Sequence, residues 1–222
     1  VTKEAGKTEA NENEENEKNE GKSNVTPVSM SETTVATDVK NKTNDNLLAA
    51  FKGETTASAK YEAYSKKAEQ EGYHQVALLF KAASASEKIH ANNHKAVLEE
   101  SGIKTPAITP QYVVKSTKEN LEDAINGETY EVTTMYPEFL KVANESGNQL
   151  AMISFNYAYK TEKKHKTLYE NALAALQNNT MKSLPTSFYV CATCGNTYDS
   201  KAPARCGISM TSNEKFIKIN SL

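Results

Sequence analysis

The stretch that decides the fold is VALLFKAASASEKIH, residues 76–90, together with its counterpart YKTEKKH, residues 159–165. In each, a glutamate stands three residues before a histidine, Glu87 before His90 and Glu162 before His165, so each pair shares one face of a helix. One such pair is ordinary surface decoration. Two, on the second and fourth of four helices, form the repeated half of a di-metal carboxylate site. The other half calls for a carboxylate from each remaining helix. Glu54 in Gly53-Glu54 and Glu128 in Gly127-Glu128 stand at matching places on the first and third, and Glu131 shares the face of Glu128.

Outward from those pairs the helical period is legible. Leu47, Leu48, Phe51, Ala57, Tyr61, Tyr64 and Ala68 recur at three- and four-residue steps, and Gly72 supplies a stop. A second helix is expected from about Tyr73 to Glu100, followed by a loop marked by Gly102, Pro106 and Pro110. Ser116 with Glu119 fits a capping box that opens a third helix through about Ser146, and a fourth follows from about Asn148 to Asn178. Pro137 lies inside the third helix and is expected to kink it, because it lacks an N–H and clashes one turn back. Two helical hairpins joined by one long crossover predict a mainly α fold, a ferritin-like four-helix bundle over residues 46–180. Residues 186–222 are rich in turn formers and close on a strand-like run, Phe216-Ile217-Lys218-Ile219, so they form a small separate module. Residues 1–45 contain NENEENEKNE (11–20) and precede the first aromatic residue, Phe51, so a disordered polar tail is expected there.

The 222 residues carry a net charge of −2 with 24% charged residues, and no clustered basic surface argues for nucleic acid. No apolar run approaches the roughly 20 residues that cross a bilayer. No Gly-x-Gly-x-x-Gly element marks a nicotinamide site. The three cysteines, Cys191, Cys194 and Cys206, are odd in number and begin with Cys-x-x-Cys spacing, which points to metal or redox chemistry. In the bundle, five glutamates would carry five negative charges, and two ferrous ions bring that near neutral. Without metal such buried carboxylates take up protons instead. His74 and His94 are read as surface residues or residues just behind the ligands.

Residues 46–90, 120–147 and 159–165 resemble rubrerythrins almost throughout, and YVCATCGNTYDSKAPARC (189–206) resembles that family's rubredoxin-like domain. The likeness runs from about Asn46 to Ile219. Ferritins share the Glu-x-x-His logic but lack the Gly-Glu-Thr-Tyr-Glu pattern of residues 127–131 and the cysteine knuckle. The resemblance implies a di-iron centre held by Glu54, Glu87, His90, Glu128, Glu131, Glu162 and His165, with one iron moving between His90 and Glu131 as oxidation state changes. It implies that Tyr61 and Tyr136 hydrogen-bond ligand carboxylates near the peroxide pocket, although plain core packing is the other reading of both. The activity implied is an oxidoreductase's: peroxidase reduction of hydrogen peroxide to water, with electrons from an external donor or reductase. A ferroxidase, or an iron-binding protein with an impaired relay, is the alternative. The family also implies a homodimer with the module of one subunit near the di-iron site of the other, and a cytoplasmic location. A chain opening on Val1 is read as processed upstream, which leaves an exported, envelope-tethered form as the alternative.

The knuckle departs from that family. A rubredoxin site needs four thiolates from two Cys-x-x-Cys turns, and here the second turn reads Cys206-Gly207-Ile208-Ser209. Three outcomes fit this sequence: iron bound by three sulfurs and the Ser209 oxygen, zinc with Ser209 or water as fourth ligand, or no metal at all.

Overall fold

The computed structural model describes residues 28–222, with side chains from residue 36. Four long helical segments form the bundle: α1 (Val28–Gln70), α2 (His74–Glu100), α3 (Thr117–Tyr130) running on into α4 (Tyr136–Glu145), and α5 (Gln149–Gln177). A three-stranded antiparallel sheet follows, in the order β2-β1-β3, from β1 (Phe188–Cys191), β2 (Thr197–Asp199) and β3 (Phe216–Ile219). Local chemistry sets the helix ends. Gly72, at φ +83, lets Tyr73 N–H reach back to Ala68 O and stop α1. The Ser116–Glu119 capping box opens α3, and the Asn148 side chain accepts from Ala151 N–H to open α5.

Two expectations need correction. The disordered tail was expected to reach residue 45, but α1 begins at Val28, and residues 1–27 lie outside the described residues. Thr43 is fully buried, with its hydroxyl 2.9 Å from Ser146 Oγ, so this part of α1 lies against the end of α4. Pro137 was expected to kink the third helix at its own position. Instead the chain makes a π-helical turn over Glu131–Met135, where Tyr136 N–H bonds Glu131 O, and Pro137 falls in the first turn of α4. There its missing N–H has little to lose.

Along each helix the buried residues come in the same three layers. One apolar cluster holds Tyr61, Tyr64, Phe80, Leu121 and Tyr169, and takes in Phe188, Val190 and Ile219 of the sheet. The other holds Leu47, Phe51, Leu98, Tyr136 and Phe155. Between them in sequence, on every helix, stand the buried acids and histidines: Glu54, Glu87, His90, Glu128, Glu162 and His165. Phe80 is central to the first cluster, its ring centroid 5.9, 5.4 and 5.3 Å from those of Tyr61, Tyr64 and Tyr169. Phe80→Ala is expected to cost about 3–5 kcal/mol of unfolding free energy, read from the shift of the urea midpoint.

Candidate metal centre

The donor atoms of Glu54, Glu87, His90 and Glu162 lie within 4.8 Å of one another, and so do those of Glu87, Glu128, Glu162 and His165. Glu87 and Glu162 belong to both groups. Each reaches both imidazoles: His90 Nδ1 is 2.9 Å from Glu87 Oε2 and 2.8 Å from Glu162 Oε1, while His165 Nδ1 is 3.0 Å from Glu87 Oε1 and 2.8 Å from Glu162 Oε2. The result is a near-symmetric double site with two shared carboxylates in the middle and Glu54 and Glu128 at its ends. The i, i+3 spacing on α2 and α5 presents the shared acid and its histidine together.

Both histidines are steered from behind by the C-terminal module. His90 Nε2 lies 3.0 Å from Cys194 O, which can only accept, so Nε2 carries a proton and Nδ1 faces the carboxylates. His165 Nε2 lies 2.9 Å from Thr197 Oγ1, and Thr197 passes its own hydrogen to Gly195 O. Gly195 is required twice over. Its φ is +76, and a Cβ there would stand 2.4 Å from His90 Nε2. Ser86 Oγ and Asn93 Nδ2, both on α2, donate to Gly195 O and Thr193 O and hold the knuckle down. Thus the knuckle lies against the cluster in the bundle of its own chain.

Eight atoms of this cluster are buried with no partner outside it: Glu54 Oε2, both oxygens of Glu87 and Glu162, Glu128 Oε2, and Nδ1 of both histidines. So many orphaned acceptors in one place cost several kcal/mol unless a cation or protons share them. Protons do so in part. Burial and the neighbouring carboxylates push Glu54, Glu128 and Glu131 well above the usual carboxylate range. Burial opposes charge on the imidazoles too, but the Glu162 and Glu87 carboxylates overcome it at His90, and at His165 they lift the ring to about 10. Glu87 is held down to about 2 against the effect of burial, because both imidazolium charges face it. Oxygen and imidazole donors converging with their lone pairs inward suit a pair of divalent first-row ions. The residues fit the metal centre that the fold implies.

Glu131 stands apart. It is half-buried at the head of the π turn and belongs to neither four-donor group, although Glu54 and Glu128 both feel its charge. Tyr61 and Tyr136 each join an apolar cluster to the polar layer. Their rings pack in the two apolar clusters, while Tyr61 O–H donates to Glu128 Oε1 at 2.7 Å and Tyr136 O–H donates to Glu54 Oε1. Behind Tyr136 stands His94, fully buried and not a surface residue, with Nε2 3.2 Å from the tyrosine oxygen and Nδ1 2.7 Å from Ser154 Oγ. Burial and the His90 charge keep it neutral, its pKa down at about 3. His74, by contrast, is exposed and pairs with Glu69. Sequence reading passed over Tyr169 as well, although it falls four residues after His165 on the ligand face. It is buried edge-on against Tyr61, with centroids 5.5 Å apart.

At the knuckle the three thiols are fully buried and unpaired, and lie within 4.8 Å of one another. Ser209 Oγ stands 3.3 Å from Cys191 Sγ. Its close neighbours, Cys194 first, lower the Cys191 thiol to about 4, with burial opposing.

Four helices, one crossover and a shared-carboxylate cluster define a ferritin-like di-metal carboxylate protein. The rubrerythrin family model matches residues 45–173, and the chain belongs to that family. It is 35% identical over 176 residues to rubrerythrin-2 of Clostridium acetobutylicum, covering 78% of this chain and 95% of that one. Nigerythrin of Nitratidesulfovibrio vulgaris is also 35% identical, over 78% of this chain and 85% of its own. The structure of fully reduced, all-ferrous nigerythrin superposes with a TM-score of 0.71 at 34% identity, covering 79% of this chain and 86% of that one.

Two measurements follow from this geometry. Gly195→Ala is expected to push the knuckle off His90 and weaken metal retention in the bundle roughly 10–100-fold, read by competition with a chelator. Stability should also depend on pH in a set direction. Glu54, Glu128, Glu131, His90 and His165 hold protons more tightly folded than unfolded, so they stabilise the metal-free chain at low pH and cease to as pH rises. Glu87 acts the other way, but its contribution is lost only as pH falls toward about 2. Thermal midpoints of metal-free protein should therefore fall from about pH 5 to about pH 10, and those of metal-loaded protein much less.

Proposed function

We propose that this chain is a di-iron peroxidase that reduces hydrogen peroxide to water with electrons from an external donor. The observation that carries the reading is the pair of carboxylates, Glu87 and Glu162, each facing both imidazoles, with no other partner for their oxygens. Membership of the rubrerythrin family supports it. Glu54, Glu87, His90 and Glu162 would hold one iron, and Glu87, Glu128, Glu162 and His165 the other. With iron bound, the centre would supply one electron per metal for cleavage of the O–O bond.

The chain's own residues do the rest. Tyr61 and Tyr136 fix the outer carboxylates by donating to them, so that each end of the site keeps one oxygen turned inward. The His94–Ser154 pair stands behind Tyr136 and holds the tyrosine oxygen in place. Peroxide reduction to two waters also consumes two protons. Glu131 lies beside the cluster as a carboxyl placed to pass on a proton, its pKa raised in the metal-free chain by burial and by the Glu162 and Glu87 charges. The two apolar clusters above and below exclude bulk water.

Stopped-flow mixing of reduced, iron-loaded protein should show much faster reoxidation by peroxide than by O₂. A preference for O₂ would favour a ferroxidase, and no turnover with either would favour an iron-holding protein. Glu87→Ala should abolish the reaction and lower bound iron. Tyr136→Phe should keep the iron and slow peroxide turnover roughly 10–100-fold. Unchanged iron content in Glu87→Ala would overturn the ligand assignment.

A further inference from the structure

The second turn of the knuckle has lost two residues of the first turn's pattern and none of its shape. In the first, Gly195 follows Cys194, takes φ +76, and donates its N–H to Cys191 O at 2.9 Å. In the second, Met210 follows Ser209, takes φ +60, and donates its N–H to Cys206 O at 2.9 Å. The left-handed conformation costs free energy for any residue with a Cβ. Met210 gains nothing by packing to offset it, because its side chain is 63% exposed. What the turn does accomplish is to put Ser209 where Cys194 stands in the first turn, with its oxygen against the three buried thiols.

The hydrogens around that oxygen are all accounted for. Thr211 Oγ1 donates to Thr193 Oγ1 at 2.8 Å, so its single hydrogen is spent. Ser209 Oγ, 2.8 Å from Thr211 Oγ1, must therefore be the donor to it, which leaves the Ser209 lone pairs toward the sulfurs. Cys206 Sγ meanwhile accepts from Ile208 N–H at 3.4 Å, from Tyr198 O–H at 3.5 Å and from Asn196 Nδ2 at 3.7 Å. Donors aimed at a buried sulfur favour thiolate over thiol, and clustered buried thiolates call for a cation. The nearby Lys164 does not serve as one, since its ammonium sits over the Tyr198 ring, 4.1 Å from the centroid.

We propose that the knuckle binds one metal ion through Cys191, Cys194 and Cys206, with the hydroxyl oxygen of Ser209 as its fourth donor. Three sulfurs and one oxygen suit a divalent ion that accepts four-coordinate thiolate ligation, which zinc and ferrous iron both do. This site stands or falls independently of the peroxidase reading, because the bundle cluster contains no sulfur.

The same fact gives a clean test with the full-length chain. Cobalt(II) titrated into metal-free protein produces thiolate-to-cobalt absorption only at the knuckle. One equivalent should generate that absorption in the unmodified chain. Ser209→Ala should bind roughly tenfold or more weakly with a changed band pattern, while Ser209→Cys should bind more tightly and absorb more strongly. Circular dichroism checks that each variant is folded. Should Ser209→Ala fail to fold, X-ray absorption of zinc-loaded protein counts the sulfurs, three plus one light atom in the unmodified chain and four in Ser209→Cys. Metal analysis of the chain as isolated then separates zinc from iron as the occupant. Identical spectra and affinities for Ser209→Ala and the unmodified chain would overturn the proposal. So would three sulfurs in both X-ray samples, or a Cys194–Cys206 disulfide with no cobalt–thiolate absorption.

Discussion

Four carboxylates and two imidazoles, each at most 2% exposed, share one layer of the bundle, and that layer governs the rest of the molecule. Charges so deeply buried exclude one another unless something positive lies between them. In the metal-free chain, protons and imidazolium ions perform that task. Bound metal would perform it with higher charge density and defined geometry. The apolar clusters on either side are correspondingly aromatic. Tyr61, Tyr136 and Tyr169 each bring a large ring to the core and a hydroxyl to its polar boundary, which a phenylalanine could not do.

The C-terminal module acts as a wall of this layer. Cys194 O and Thr197 Oγ1 take the outward hydrogens of the two ligand imidazoles, and the absence of a side chain at Gly195 permits that approach. A small sheet with Phe188, Val190 and Ile219 seated in the bundle's core is thereby fixed to the part of the protein where chemistry is expected. The contact also explains why a module with so few apolar residues of its own holds its position.

Much of the architecture was legible because it follows from short-range rules. The Glu-x-x-His spacing, the Ser116–Glu119 box, the Gly72 stop and the Phe216–Ile219 strand are each decided within a few residues. What escaped depended on distant partners. Nothing in the polar run before Asn46 announces a helix, and a contact such as Thr43 with Ser146 joins residues about a hundred apart. The π turn at Glu131–Met135 inserts a residue into a helix of ordinary composition, which periodicity arguments absorb unnoticed. His94 could have been placed, because it lies one turn beyond His90. Its role behind Tyr136 and Ser154 needed two other helices to be in place.

The two hydrogen bonds that tie His90 and His165 to the knuckle have a thermodynamic consequence. They join the carboxylate–histidine cluster of the bundle and the thiol cluster of the module into one linked system. Whatever order the knuckle imposes on those rings is a contribution to metal affinity in the bundle. By reciprocity, occupancy of the bundle must favour the ordered knuckle by the same free energy. The two clusters are thus mutual effectors, and a ligand that orders one favours the ordered state of the other.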